Sequence, residues 1–156
     1  MNLIYYCYGS AHSSIVAAAI HLGHLPDDRV ASVEDILSLP DFDISRNDSL
    51  GHLFFKGVDH DGHNVYTIGL GPERQLVQRS IASMIDHLSD EPDQFLFAQA
   101  LPHINRMARI GGALSRRYGC VKIGRYVAAK GVHLDYKSLL SFVKDTKKKL
   151  KNKISR

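Results

Sequence analysis

The chain has 156 residues, of which 44% are hydrophobic and 23% charged, and its formal net charge is +4. A chain of this length fits one domain that buries roughly 70% of its unfolded-state surface, and the composition excludes wholesale disorder. No apolar run is long enough to span a bilayer and the chain starts on a strand-like segment without a basic leader, so the expectations are no membrane partner and a cytoplasmic address.

In chain order, Asn2 to Cys7 reads as a short aromatic and β-branched strand, and Ser13 to Leu22 as an apolar helix stopped by Gly23 and Pro26. Ser32 with an acid three residues later marks a short second helix that ends before Pro40. A polar loop runs from Asp41 to Gly51. His52 to Val58 and Asn64 to Gly69 form an expected antiparallel pair, joined through a turn carrying the step Asp61-Gly62. Pro72 opens a long amphipathic helix with Leu76, Ile81, Met84, Ile85 and Leu88 at helical spacings, ending before Asp90-Glu91-Pro92-Asp93. Gln94 to Ala98 reads as a buried strand. Ile104 to Tyr118 is helical by periodicity, with Gly111-Gly112 permitting close packing or a kink and Gly119 at the C-cap. Tyr126 to Ala129 is a fifth strand candidate, and Tyr136 to about Lys151 the last helix. This alternation predicts an α/β fold: a three-layer α/β/α sandwich around a mostly parallel sheet of about five strands that includes one hairpin.

The junction Cys7-Tyr8-Gly9-Ser10-Ala11-His12-Ser13-Ser14 places a small-residue loop between a strand and a helix start. In such a junction loop amides and the helix N-terminus converge on one spot, and a glycine lets the backbone approach an anion. Gly9, Ser10, Ala11, Ser13 and Ser14 are therefore the candidate anion-binding positions, with Cys7 the candidate nucleophile and His12 the candidate proton carrier. Each has a plainer role too: Cys7 as a small core residue, His12 satisfied by a carbonyl, the serines as helix caps. The lysine of a nucleotide P-loop is missing.

The loop resembles that of the low-molecular-weight protein tyrosine phosphatases, in which a strand delivers the cysteine of Cys-x5-Arg-Ser ahead of an Ala-rich helix. The match is at Cys7, Gly9 and Ser14, while Ser13 stands where that family has its phosphate-clamping arginine. That family's Asp-Pro general-acid step is absent, and Asp90, Asp93 and Asp135 are positional candidates only. The cysteine loops of sugar-phosphotransferase IIB components are also similar, since they end in Ser or Thr and pass a phosphoryl group through cysteine. Over its full length the chain looks like a family of small uncharacterised proteins of Gram-positive, often spore-forming, bacteria that carry a domain of unknown function. The likeness rests on Tyr6-Cys7-Tyr8-Gly9, His12-Ser13-Ser14, His21-Leu22-Gly23, Met107-Ala108-Arg109-Ile110-Gly111-Gly112 and Leu114-Ser115-Arg116-Arg117. It implies a compact bacterial cytosolic protein whose signature segments meet at one site.

Basic charge gathers in the C-terminal third, in Arg106, Arg109, Arg116, Arg117, Lys122 and Arg125 and in the lysine-rich stretch from Lys144 to Lys153. The helix arginines are either a solvated face or an anion-facing wall; Arg109 and Arg116 are the candidates to replace the missing loop arginine. His52, His60 and His63 with Asp59 and Asp61 suit a hairpin turn better than a metal site, so no metal and no cofactor are expected. Cys7 and Cys120 lack metal spacing and read as reduced thiols. The expected function is recognition of phosphate or a similar oxyanion, on a phosphorylated small molecule or nucleotide, with phosphatase-like or phosphotransferase-like chemistry if the protein is an enzyme. The alternative is a non-enzymatic nucleic-acid or protein-partner module using the arginine helix and lysine tail, for which steep salt dependence is the mark.

Overall fold

The first strand, β1 (Asn2–Cys7), is buried along almost its whole length because both of its edges are paired and both of its faces are covered. A strand in that position is expected to be continuously apolar rather than alternating, as Leu3 to Cys7 is. The structure, a computed structural model, describes residues 1–44, 49–116 and 118–154.

The sheet has four strands in the order β2-β3-β1-β4, with β2 at Leu53–Val58, β3 at Asn64–Gly69 and β4 at Phe95–Gln99. β1 pairs in parallel with both β3 and β4, while β2 is antiparallel to β3 across the expected hairpin. The hairpin turn is closed by the Asp59 carboxylate, which accepts from the Asp61 and His63 amides, and Gly62 takes the left-handed conformation the turn requires. The sheet is thus mixed and four-stranded rather than mostly parallel and five-stranded.

The missing fifth strand, Tyr126 to Ala129, lies inside a helix, α5 (Val121–Leu134). A short apolar run does not distinguish strand from buried helix, and the deciding contacts here are tertiary. Gly124, Ala128 and Gly131 face α4 (Arg106–Arg116), and a Cβ on Gly124 would lie 2.3 Å from the Ser115 nitrogen. The two helices therefore pack backbone to backbone, which small residues alone permit. α4 is shorter than the expected Ile104 to Tyr118; Asn105 receives the Ala108 amide at 2.9 Å at its start. Arg117 and residues 45–48 of the polar loop lie outside the described residues.

Alternation along β1 splits the core. Leu3 and Tyr5 join the larger cluster, built with α1 (Ser13–His21) and α6 (Tyr136–Ile154), whereas Ile4 and Tyr6 join a smaller one with Ile68 and Leu70. α3 (Arg74–Leu88) rests on the smaller cluster through half-buried Val77 and Ile81. Its Leu76, Met84 and Leu88, which belong to the apolar periodicity, are exposed. The capping box at Ser32 and Asp35 forms as the sequence indicates and starts α2 (Val33–Leu37). α6 is a core helix, with Tyr136, Leu139, Val143 and Leu150 buried. Among the described residues no helix is long and apolar enough to cross a membrane.

Candidate functional site

β1 ends at Cys7, and the next turn is bound to the strand beside it. The Leu70 and Gly71 amides donate to the Cys7 and Tyr8 carbonyls at 3.0 and 2.8 Å. The loop lies directly on Gly69, where a Cβ would stand 2.8 Å from the Gly9 carbonyl carbon. Ser10 adopts a left-handed φ of 50°, and its hydroxyl donates to Thr67 Oγ1 at 2.9 Å beneath the loop. That conformation turns the Ser10 amide onto the Cys7 sulfur at 3.2 Å, and Ser14 Oγ lies 3.1 Å from the same sulfur. Two polar groups thus converge on a thiol that is almost fully buried.

α1 begins immediately after this loop. Its N-cap residue, His12, makes no side-chain cap hydrogen bond, so the first-turn amides lack the usual capping partner. Ser13 heads the helix at 1% exposure, and its hydroxyl is buried with no hydrogen-bond partner. Buried hydroxyls are almost always partnered, so an orphan at an uncapped helix start marks Ser13 as a candidate ligand contact. Cys7, Gly9, Ala11, His12 and Ser13 line a cavity of about 630 Å³ at the C-terminal end of β1.

Three arginines reach the same cavity. Arg116 Nη1 donates to the Gly9 carbonyl at 3.3 Å, and a Cβ on Gly9 would collide with that nitrogen at 2.8 Å, so glycine here admits the guanidinium. Arg109 is exposed at the rim and donates to the Leu101 carbonyl. Arg74, at the start of α3, contributes a buried Nε with no partner. Burial raises the pKa of the Tyr6 phenol, and the charge of Arg74 opposes that rise. Among the described residues lining the cavity there is no carboxylate.

His12 is held from three sides. Its Nε2 donates to Asp43 Oδ1 at 2.9 Å, its ring meets Phe42 edge-on, and it stands where a side chain on Gly112 would be. Asp43 has no exposed side-chain surface, its other oxygen accepts from Ser115 Oγ, and its backbone takes a left-handed φ of 62° while its amide donates to the Ala11 carbonyl. Bonded to the carboxylate, Nε2 carries the proton of the neutral ring and Nδ1 is its acceptor.

Of the candidate residues from the sequence, Cys7, Gly9, Ala11, His12, Ser13, Arg109 and Arg116 line the one cavity. Ser10 and Ser14 stand behind it and shape the loop through Thr67 and the Cys7 sulfur. Arg74, Asp43 and Ser115 are the functional candidates that the sequence reading lacked. Arg106 is exposed away from the cavity, and Arg117 lies outside the described residues. The hairpin histidines do not converge: His52 stands beside Phe54, His60 is fully exposed and His63 is buried near the Met1 amine. Lys151 and Lys153 fold back onto Asp61 and Asp93, and Lys153 also donates to the Phe95 carbonyl.

His21, also buried, serves the fold. His21 Nε2 donates to Asp59 at 2.9 Å and Nδ1 accepts from the Tyr5 hydroxyl at 2.9 Å, tying the end of α1 to the hairpin turn. Burial lowers the His21 pKa against the opposing pull of Asp59. At Asp59 burial acts upward, but the hydrogen bonds from His21 and His63 outweigh it and hold the carboxyl below its ordinary value.

These features define an α/β protein with a strand-loop-helix cavity rich in hydrogen-bond donors. The chain belongs to the family described as "Protein of unknown function (DUF3189)", whose family model matches residues 2–148. No curated protein and no solved structure gives a significant match.

Proposed function

We propose that the cavity recognises the phosphate group of a small phosphomonoester. The observation that carries this reading is the Ser13 hydroxyl, buried without a partner at the uncapped start of α1, in a cavity that three arginines enter and no described carboxylate lines. A bound oxyanion would accept from Ser13, from the first-turn amides and from the guanidinium groups, and the helix dipole would add to the attraction.

The same arrangement supports phosphoryl transfer through Cys7. The Cys7 thiol gives its proton to His12 Nδ1 as its sulfur attacks phosphorus, the ester P–O bond breaks, and His12 passes that proton to the leaving alcohol oxygen. Water then attacks the thiophosphate and loses a proton to His12, the S–P bond breaks to release inorganic phosphate, and the proton returns from His12 to the Cys7 sulfur. Asp43 stabilises the protonated ring, and Arg74 and Arg116 offset the charge that a loop arginine neutralises in the similar phosphatase loop.

Two measurements test the reading. Inorganic phosphate and phenyl phosphate are expected to raise the unfolding temperature of the chain saturably, more at low than at high salt; no shift with either refutes oxyanion recognition. Hydrolysis of p-nitrophenyl phosphate by the parent and its loss in Cys7→Ser support the covalent route, whereas full activity in the variant removes it.

A further inference from the structure

The cavity has two chemically different ends. Its anion end is made by the Cys7 to Ser13 loop and the arginines, and its other wall by Leu101, Ile104 and Ala113. A volume of about 630 Å³ lies in the range of sites for small organic molecules and far exceeds what a bare phosphate fills. The remaining space therefore belongs to the group that the phosphate is attached to.

The nature of that group follows from what is missing. Recognition of a sugar or a nucleobase needs acceptors and amides placed to pair its hydroxyl and ring-nitrogen groups, because polar groups buried without partners cost affinity. Among the described lining residues there is no Asp, Glu, Asn or Gln. The side-chain acceptors are the Tyr8 and Ser13 hydroxyls, the Cys7 sulfur and one nitrogen of His12, and all but Tyr8 belong to the anion end. Tyr8 is half exposed, at 52%, so it offers a ring at the mouth as well as a hydroxyl. A polyol or nucleoside seated against the aliphatic wall would find no side-chain acceptor there for its hydroxyl hydrogens. An apolar group would bury carbon against carbon.

We infer that the site selects phosphomonoesters whose alcohol part is apolar and uncharged, over sugar phosphates, nucleotides and free phosphate. The inference rests on the oxyanion reading and adds to it the class of the esterified group. Leu101 and Ala113 are its specificity residues. Leu101 is half buried in the turn after β4, and Ala113 is exposed on α4, where a longer polar side chain is tolerated by the helix.

The experiment compares the affinities of inorganic phosphate, glycerol 1-phosphate and phenyl phosphate by calorimetry on the full chain. The two esters carry the same dianion, so their difference reports the alcohol part. Phenyl phosphate is expected to bind about tenfold or more tightly than the other two, in keeping with burial of an aromatic face. Leu101→Gln and Ala113→Gln are each expected to reduce the ratio of phenyl phosphate to glycerol phosphate affinity, with Ala113→Gln the variant that leaves the core untouched. Equal affinity for all three overturns the inference and leaves oxyanion recognition standing. Binding of none of them overturns both. A preference for phenyl phosphate that survives unchanged in both variants removes the aliphatic wall as its source.

Discussion

Replacing Ser13 by alanine is expected to make the free protein more stable and the liganded protein weaker, two opposite effects from one atom. The Ser13 hydroxyl has been taken out of water without a partner, which costs roughly 1–3 kcal/mol. Alanine removes the oxygen, keeps the helix start and leaves only a small void, so a net gain of about 1 kcal/mol is expected, or about 2–4 °C in unfolding temperature for a chain of this size. Binding moves the other way. A hydrogen bond to an anion contributes about 1.5–3 kcal/mol, so loss of the hydroxyl weakens phosphate binding about tenfold to a hundredfold. At a phosphate concentration of about 100 times the parent Kd, the ligand stabilises the parent by about 2.7 kcal/mol and a tenfold weaker variant by about 1.4 kcal/mol. Thermal and urea unfolding with and without phosphate measure all four states. A variant that is less stable than the parent in the absence of phosphate, or that gains as much from it, refutes the reasoning.

Gly124→Ala is expected to lower stability by at least about 1–3 kcal/mol, because its Cβ would meet the Ser115 nitrogen at 2.3 Å and the Gly111 oxygen at 2.7 Å, both backbone atoms that move only if α4 and α5 separate; urea denaturation checks it. Gly112→Ala places a Cβ 2.6 Å from His12 Cε1, a side-chain atom, so the fold is expected to persist while the His12 ring resonances shift in NMR spectra as its bond to Asp43 is disturbed. The pKa of His21 is lower in the folded than in the unfolded chain, so the unfolded state binds the proton first as pH falls; the stability it confers is whole above about 6.5 and is lost progressively below that value. His21→Gln is expected to remove that part of the pH slope in urea midpoints, and an unchanged slope counts against the assignment. Asp59 adds a further loss below its ordinary value of 3.8, since its folded pKa is depressed too.

Local signals carried much of the fold. The caps at Ser32 and Gly23, the Asp61-Gly62 turn and the apolar strand before Cys7 each act within a few residues, and each element forms where its signal lies. The fifth strand failed because Tyr126 to Ala129 is apolar and short, and its state is decided by α4, which approaches only where Gly124 and Gly131 leave room. The exposed Leu76, Met84 and Leu88 on α3 follow from the same limit: periodicity marks an apolar stripe, but the amount of sheet beneath it sets how much is covered.

The candidate site divides along a similar line. The loop half was legible as a candidate because Cys7, Gly9, His12 and Ser13 are neighbours in sequence between a strand and a helix start. The other half was partly legible, as Arg109 and Arg116 share a helix, while Arg74 and Asp43 sit in segments whose only local signature is a helix start or a polar loop. What brings these segments to one place is the sheet order: β3 and β4 flank β1, so the chain leaving each of them passes the C-terminal end of the strand that holds Cys7. Arg74 follows β3, and the Leu101 turn and α4 follow β4. A strand at the centre of parallel neighbours gathers their outgoing connections above its own end, and that is the physical reason for finding ligand sites at such places. The glycines complete the arrangement, since Gly69 admits the loop, Gly9 admits Arg116 and Gly112 admits His12. Each of these three positions is small because a cavity-lining side chain or loop occupies the volume a Cβ would take, so enlarging any of them should perturb the cavity before it perturbs the fold.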